Sequence, residues 1–334
     1  MAHVKALRDT DYLFISTWLR ARENSILTSA RMDRMIDAPS AADAAKVLQE
    51  IGYDEFSPSS EKALNDALAA EREKTFRELY RFVPDKAVVD VFKVKYDYHN
   101  VKVLLKARAM GVDARQLLVD AGRVERSRLI GAVEEGHADL LPSVMAAALT
   151  EASEVLSTTG DPQRSDTILD RAYFKEMLQA AEAAGSEFLR RYVQATIDAA
   201  NLRSAVRASR MHKGGDFLRR VLFPGGTVSP ESVATAALSG NLEELYRPTF
   251  LRAAAEAGGA AVSGGSLTAF EKACDDAVTE MAASAKQIPF GVEVVIAYLV
   301  AKEIEFTAVR VIMSGRMAGI SGEMIRERLR ESYV

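Results

Sequence analysis

Apolar residues recur along nearly every long segment of the chain at spacings of three and four positions rather than two. A period of 3.6 residues places such positions on one face of an α-helix, whereas the side chains of a strand alternate with a period of two. The same segments are rich in Ala, Leu, Glu and Arg, which are good helix formers. The pattern therefore predicts an all-α protein.

Capping residues indicate where the predicted helices begin and end. Helix starts are predicted after Ser40, Ser229 and Ser321, because each serine is followed within three positions by an acidic residue. A serine hydroxyl accepts a hydrogen bond from a free backbone N–H, and a carboxylate is favoured at the positive end of the helix dipole. Glycine favours the left-handed conformation that often follows the last helical turn. The predicted helix ends are Gly52, Gly111, the Gly214 and Gly215 pair, and Gly319.

One polar motif occurs three times. The segment DYHNVKVLLKAR, which starts at Asp97, aligns with DAANLRSAVRAS, which starts at Asp198, and with EFTAVRVIMSGRMAG, which starts at Glu305. A comparable long helix precedes each copy, and short helices joined by a turn lie further upstream. The chain is therefore predicted to contain three similar helical units of about 100 residues. These units span residues 1–121, 122–225 and 226–334. Chance similarity among Ala-rich helices is the alternative explanation.

The alignment makes several polar residues equivalent. The acid at the start of each copy is followed three positions later by Asn100 and by Asn201, but by Ala308 in the third copy. We interpret one set of residues as structural polar contacts between helices: Asp97, Asn100, Asp198, Asn201, Glu305 and Arg316. The basic residues form either a solvated face or a partner-binding face, and their recurrence in the three copies favours neither strongly. They are Lys102, Arg203 and Arg310 at one position, and Lys106 and Arg207 at another.

The helix around Asp97 is predicted to have three kinds of surface. An advance of 100° per residue places Lys95, His99, Lys102 and Lys106 within about 60° of one another. The opposing apolar stripe consists of Val94, Tyr98, Val101 and Leu105. The acid and the amide of the motif lie on the border between these faces. We expect them to form hydrogen bonds to neighbouring parts of a helical bundle, while the basic face meets water or a partner.

The residue types of this motif could suggest an active site, but no catalytic constellation is present in the sequence. His99 is replaced by Ala200 and Thr307 in the other copies, and the four histidines are scattered singly. There is no HExxH, no repeated ExxH, no G-x-S-x-G and no phosphate-binding loop. The single cysteine, Cys274, excludes an intramolecular disulfide and a multi-cysteine metal cage. We predict no catalytic residue, no metal site and no cofactor.

Charge and hydropathy limit the classes of partner. The chain has 43 Lys plus Arg, 47 Asp plus Glu, and a formal net charge of −4, which argues against a nucleic-acid-binding protein. No run of 18 apolar residues occurs, so a membrane role would have to be peripheral. The most apolar segment, FGVEVVIAYLVAKEIEFTAVRVIM, is expected to be a buried helix with one polar flank. The charged residues of that flank are Glu293, Lys302, Glu303 and Glu305.

Three stretches of the chain resemble a known family. They are DTDYLFISTWLRARENSILTSARMDRM near the start, KYDYHNVKVLLKARAMG in the middle, and IPFGVEVVIAYLVAKEIEFTAVRVIMSGRMAGISGEMIRERLRESYV at the end. In their order and spacing they resemble a central-stalk component of V-type and A-type ATPases, which is called the C subunit in prokaryotes and the d subunit in eukaryotes. The resemblance extends over essentially the whole chain.

The resemblance implies a fold and a role. The fold is a funnel of three helical bundles around a pseudo-threefold axis, and the role is that of a non-catalytic rotor subunit. Members of that family lie peripherally on the cytoplasmic face of the membrane. They join the shaft subunits to the proteolipid ring and couple ATP hydrolysis or synthesis to proton or sodium transport. The five basic residues would then meet the shaft. The alternative is a free-standing helical repeat scaffold that binds soluble proteins.

Overall fold

All regular structure in residues 8–330 and Ser332, which the computed structural model describes, is helical. The prediction of an all-α protein is confirmed. The first helices are α1 (Leu13–Glu23), α2 (Ser29–Ile36), α3 (Ala41–Glu50), α4 (Glu61–Phe82) and α5 (Ala87–Met110). The middle helices are α6 (Arg126–Ile130), α7 (Ser143–Thr159), α8 (Pro162–Ala183), α9 (Glu187–Arg210), α10 (Gly215–Val221) and α11 (Pro230–Ser239). The last are α12 (Leu242–Tyr246), α13 (Arg252–Val262), α14 (Leu267–Ala283), α15 (Val292–Met317) and α16 (Gly322–Arg328).

Short turns of other helical types complete the structure. The 3-10 turns are Asp9–Tyr12, Arg115–Leu117, Ala138–Leu140 and Ser284–Gln287, and a π turn covers Gly131–Glu135. The predicted helix starts are confirmed at Ser40, Ser229 and Ser321, whose hydroxyls each accept a hydrogen bond from a backbone N–H three residues later. These bonds satisfy donors that have no partner within the helix.

One predicted helix end was wrong. The helix α9 ends at Arg210, and the left-handed residue after it is His212, with φ 53°. Gly214, with φ −83°, instead precedes α10 as its N-cap. The glycine pair misled the prediction because it begins the next helix rather than ending the previous one.

Contacts between Cα atoms divide the protein into two compact units. The terminal unit consists of Met1–Lys86 together with Leu242–Val334, and the central unit consists of Ala87–Asn241. The boundaries at Lys86 and Asn241 differ from those of the predicted three units, and α5 lies in a different contact unit from α1 to α4. The division into three units remains a prediction about repeated sequence.

The core of the terminal unit forms around α15. Phe306, Val309, Ile312 and Met313 are buried among residues of α2, α3 and α4. Segments from near the two ends of the chain therefore share one apolar core, which holds the N-terminal short helices against the last long helix. Burial of apolar surface is the main favourable term here, at about 25 cal/mol per Å².

In the central unit, α5 packs against α7 and α8, and α9 packs against α8 and α11. The predicted stripe of α5 is buried at Val94, Tyr98, Val101 and Leu105. Burial extends beyond that stripe to Tyr96 and to the acid and amide of the motif. A helix that packs against several neighbours is covered on more than one face, which a single amphipathic pattern does not reveal. Among the described residues, no helix is long and apolar enough to cross a bilayer.

Candidate functional site

Two polar side chains of α5 hold the loop that precedes α6. Asp97 has no exposed surface, and its Oδ1 accepts the backbone N–H groups of Arg123 (2.9 Å) and Val124 (3.1 Å). Its Oδ2 accepts Nε–H of Arg123 at 3.0 Å. Asn100 Oδ1 accepts the N–H of Val119 at 2.8 Å, and its Nδ2 donates to the carbonyl of the same residue at 2.9 Å. We call this set of bonds, from a long helix to the loop before a short helix, a clamp.

The same clamp occurs on α9. Asp198 Oδ2 accepts the N–H of Thr227 at 2.9 Å, and its Oδ1 accepts the N–H of Val228 at 3.1 Å. Asn201 accepts from and donates to the backbone of Phe223, with both distances 2.8 Å. The spacing of three between acid and amide puts both side chains on one side of the helix, so that they bind one loop together.

The third clamp, on α15, differs in chemistry. Glu305 Oε2 accepts the N–H of Leu27 at 2.9 Å, and its Oε1 accepts the hydroxyl of Tyr53 at 2.9 Å. Ala308 stands where the other clamps have asparagine. This clamp connects residues that are 278 positions apart in the chain.

All three clamps act at the start of a short helix. Val124, Val228 and Leu27 each directly precede the N-cap residue of α6, α11 and α2, respectively. A buried carboxylate thus fixes the point at which each short helix begins. Hydrogen bonds that involve a charged group contribute more than neutral ones, about 1.5–3 kcal/mol each.

Two glycines allow the loops to approach the carboxylates. A Cβ atom at Gly122 would lie well inside van der Waals contact with Asp97 Oδ1. A Cβ atom at Gly226 would do the same with Asp198 Oδ1. Neither glycine was predicted to have this role, although each stands two positions before the valine that the carboxylate binds, Val124 or Val228. That match was the signal that could have identified them.

A second hydrogen bond is made by the side chain eleven residues after Asp97, Asp198 or Glu305. Arg108 Nη1 donates to the carbonyl of Val133 at 2.7 Å, and Ser209 Oγ donates to the carbonyl of Ala237 at 3.4 Å. In the third copy, Arg316 donates to the carbonyl of Ala38. Each long helix therefore contacts the chain just before a short helix, which is α6, α11 or α2, and again within or just beyond that short helix.

The long helices then end in the same way. In each case the backbone N–H of the residue that follows the left-handed one donates to a carbonyl five residues earlier, which forms a Schellman motif. The donor and acceptor pairs are Val112 to Ala107 (3.0 Å), Lys213 to Ala208 (2.9 Å) and Ile320 to Gly315 (2.9 Å). The left-handed residues are Gly111 (φ 67°), His212 (φ 53°) and Gly319 (φ 69°).

A buried lysine belongs to the third clamp. Lys302 is only 5 % exposed, and its Nζ donates to Glu305 Oε1 (2.5 Å) and Glu71 Oε1 (3.0 Å). The expectation that Lys302 lies on a polar flank was wrong. The spacing of three between a lysine and a glutamate inside an apolar helix was the available signal for an internal ion pair.

Burial affects the charged groups of the two clamp types differently. Burial raises the pKa of Asp97, although the N–H of Val124 and the guanidinium of Arg123 oppose the rise. Burial likewise raises the pKa of Asp198, against the hydroxyl and N–H of Thr227 and the N–H of Val228. For Lys302, burial alone would lower the pKa, but the carboxylates of Glu305 and Glu71 outweigh burial and raise it.

Lys102, Lys106 and Arg310 contact other helices of their own unit. Lys102 forms an ion pair with Asp170 on α8, and Lys106 forms one with Asp166 at 2.6 Å. Arg310 Nη1 donates to Asn65 Oδ1 on α4 at 2.6 Å. Arg203 is half-buried and Arg207 is exposed. Binding of a partner by these five residues remains a prediction.

The described part of the chain contains no group of three or more His, Cys, Asp or Glu side chains placed to hold a metal ion. The candidate site consists of the hydrogen bonds and ion pairs described above, which join helices to loops. Comparison with known proteins gives it a context. The model of the family described as ATP synthase (C/AC39) subunit matches residues 15–328. The chain belongs to this family.

Membership of the ATP synthase (C/AC39) subunit family confirms the resemblance inferred from the three stretches and identifies the protein as a component of a rotary ATPase. It is similar to the C subunit of the V-type sodium ATPase of Enterococcus hirae, at 24% identity over 97% of this chain and 99% of that protein. It is also similar to the C subunit of the A-type ATP synthase of Methanocaldococcus jannaschii, at 24% identity over 95% and 86%. The C subunit of the V-type ATP synthase of Thermus thermophilus is 26% identical over 92% and 94%.

Proposed function

We propose that the chain is the non-catalytic central-stalk rotor subunit of a V/A-type ATPase. It joins the rotating shaft subunits to the proteolipid ring on the cytoplasmic face of the membrane. In this position it couples ATP hydrolysis or synthesis to the transport of protons or sodium ions. The names of the relatives and the family support this assignment.

The observation that carries the proposal is the repeated clamp. A joint between a shaft and a ring transmits torque, so its helices must keep their positions under load. Each of α5, α9 and α15 makes two sets of polar contacts, one just before a short helix and one within or just beyond it, in addition to apolar packing. Directional hydrogen bonds resist sliding, which apolar packing alone resists less because it is not directional. We infer that the three clamped helices form a pseudo-threefold funnel.

The basic residues have two roles in this proposal. Lys102, Lys106 and Arg310 tie neighbouring helices through their contacts with Asp170, Asp166 and Asn65. Together with Arg203 and Arg207 they also give the helices a positive face that meets the shaft. Complementary charge across such an interface favours one register and faster assembly more than it increases affinity.

Co-purification tests the assignment. The protein is tagged and expressed in the organism that produces it, and the cells are extracted under conditions that keep the ATPase intact. The proteins recovered with the tag are identified by mass spectrometry. We expect the shaft subunits and the ring protein in stoichiometric amounts. Recovery of neither would contradict the rotor assignment, and recovery of unrelated soluble proteins would favour the free-standing scaffold.

A pair of variants separates the two roles of Lys102. Lys102→Asp alone reverses the charge and also breaks the ion pair with Asp170. Lys102→Asp combined with Asp170→Lys restores an internal pair while the charge on α5 stays reversed. If both variants assemble poorly at unchanged helicity, Lys102 contacts a partner. If the combined variant assembles normally, Lys102 serves only the internal contact, and its partner-binding role is wrong.

A further inference from the structure

The three long helices end in the same Schellman motif, but the segment around the end of α9 carries a different charge. Residues 207–221 contain five Lys or Arg and one acidic residue, a net charge of +4. The segments in the same register, 106–120 and 314–328, each contain three basic and two acidic residues, a net charge of +1. The difference is local, because the whole chain has a net charge of −4.

The end of α9 also keeps a residue that its geometry disfavours. His212 is the one residue other than glycine with a positive φ among the described residues. The left-handed conformation costs a residue with a Cβ atom roughly 1–2 kcal/mol, and the equivalent positions, Gly111 and Gly319, avoid this cost. Side chains held in this conformation cluster at functional sites.

Two large apolar side chains are exposed beside this charge. Met211 is 60% exposed and Leu238, near the end of α11, is 58% exposed. The ends of α9 and α11 are adjacent, because Ser209 Oγ donates to the carbonyl of Ala237 at 3.4 Å. Leu238 also lies near the start of α10, since a Cβ atom at Gly215 would be 3.4 Å from Leu238 Cδ1. Basic and apolar groups therefore occupy one region of the central unit.

We propose that this region, formed by residues 207–221 and Leu238, binds an acidic segment of another protein of the ATPase, which inserts an apolar side chain between Met211 and Leu238. We call it the basic tip. The inference rests on the proposed function, because it assumes the assembled complex. An interface with an apolar centre and a charged rim fits a protein segment with carboxylates around one apolar residue.

A protein segment fits the basic tip better than an anionic membrane does. A bilayer surface is broad and acts on all nearby charges, so the negative net charge of the chain opposes close approach. A single segment contacts only the basic tip, and charges more than about 10 Å away are largely screened at physiological salt. Lys213 and Arg220, which lie near the ring of Phe217, are exposed and can meet such a segment.

The experiment uses the intact complex. A photo-crosslinking amino acid replaces Leu238 in one variant and Met110 in the control, which is 74% exposed and lies in the segment of lower charge. We expect the Leu238 variant to crosslink to an acidic segment of a different protein of the complex, with a yield that falls as salt is raised. We expect no such product from the Met110 variant. A product with lipid, a product with a second copy of this chain, or no product from an intact complex would overturn the proposal.

Charge variants provide a second measurement. Lys213→Glu with Arg220→Glu should lower the crosslink yield about tenfold, because two exposed ion pairs become repulsive. Lys213→Arg with Arg220→Lys keeps the charge and should retain the yield. If the reversed pair leaves the yield unchanged, the basic tip is not an electrostatic docking surface. An intact complex in these experiments would leave the rotor assignment standing, so the two proposals fail independently.

Discussion

The clamps of the central unit and the clamp of the terminal unit perform the same task with different chemistry. In the central unit, Asp97 and Asp198 bind two consecutive backbone N–H groups, and an asparagine binds a third residue. In the terminal unit, Glu305 binds one backbone N–H and the hydroxyl of Tyr53, and Lys302 neutralises it.

The difference follows from what surrounds each carboxylate. A loop that passes close to a short aspartate, with glycine at the point of approach, satisfies Asp198 without a cation, whereas Asp97 also forms an ion pair with Arg123. The longer glutamate reaches a single backbone N–H, so the remaining charge requires a cation, and burial of that cation requires Glu71 as well. The terminal clamp is therefore an ion network, whereas the clamp of Asp198 needs no ion pair.

The largest effect is expected at Lys302. Lys302→Met leaves the buried Glu305 carboxylate without its cation, which should cost about 3–5 kcal/mol of unfolding free energy. Urea-induced unfolding followed by circular dichroism measures this loss. Adding Glu305→Gln should recover part of the loss, because a neutral amide needs no cation. Lys62→Met, which breaks the exposed pair with Asp66, is the control and should change little. A Lys302→Met protein as stable as the wild type would refute the ion network.

The next largest loss of stability is expected when the loop glycines of the two central clamps are replaced, and it should be similar in both. Gly122→Ala and Gly226→Ala each force a methyl group against a clamp carboxylate, with an expected cost of about 1–3 kcal/mol. Gly131→Ala is the control, because its backbone is helical and a Cβ atom there would meet its nearest neighbour at an ordinary 3.7 Å. A large difference between the two loop variants in urea unfolding would show that the clamps are not equivalent.

The pH dependence should distinguish the two clamp types. Burial raises the pKa of Asp198 in the folded state. The contribution of this shift to the free energy of unfolding is therefore greatest below the ordinary aspartate pKa of about 3.9, and it declines as pH rises through the raised pKa. Asp198→Asn removes this titration and should cost on the order of 1–2 kcal/mol, with a greater cost at pH 4 than at pH 7.

The raised pKa of Lys302 acts in another pH range. The stabilisation that the charged Lys302 gives to the folded state is complete below the ordinary lysine pKa of about 10.4 and is lost as pH rises further. The stability difference between the wild type and Lys302→Met should therefore be constant near neutral pH and shrink above about pH 10. Unfolding curves measured across both ranges check the two signs, and a difference that grew at alkaline pH would contradict the assignment.

The smallest effect concerns the helix ends. His212→Gly relieves a left-handed residue with a side chain and should raise the unfolding free energy by up to about 1 kcal/mol, since glycine also gains freedom in the unfolded chain. Gly111→His should lower stability by a similar amount. Because His212 belongs to the basic tip, the stabilised His212→Gly protein should also give a lower crosslink yield from position 238.

Several features of the molecule could be predicted from the residues alone. The period of the apolar residues predicted the helices, and Ser40, Ser229 and Ser321 marked helix starts, because a cap acts within three residues of itself. The alignment of Asp97, Asp198 and Glu305 paired residues that make corresponding backbone contacts. The resemblance to the family was confirmed by a match over residues 15–328.

Other features depended on packing between distant segments. The burial of Lys302 could not be read from its neighbours in sequence, because Glu71, which completes its charge balance, lies 231 positions away. The end of α9 was misplaced because the glycine pair suits a helix start as well as a helix end. The contact of Lys102 with Asp170 could not be predicted either, because the sequence pattern of a basic helix face is the same whether water or another helix covers that face.

The sequence by itself determined the helical class, several of the helix caps and the register of the repeated motif, because these depend on interactions within a few residues. Only the tertiary structure decided which loop each acid binds, which charges are buried and how the segments near the two ends of the chain meet at Glu305 and Leu27. The physical reason is that the energy of a buried charge depends on groups brought together by folding, and their separation along the chain places no limit on that contact.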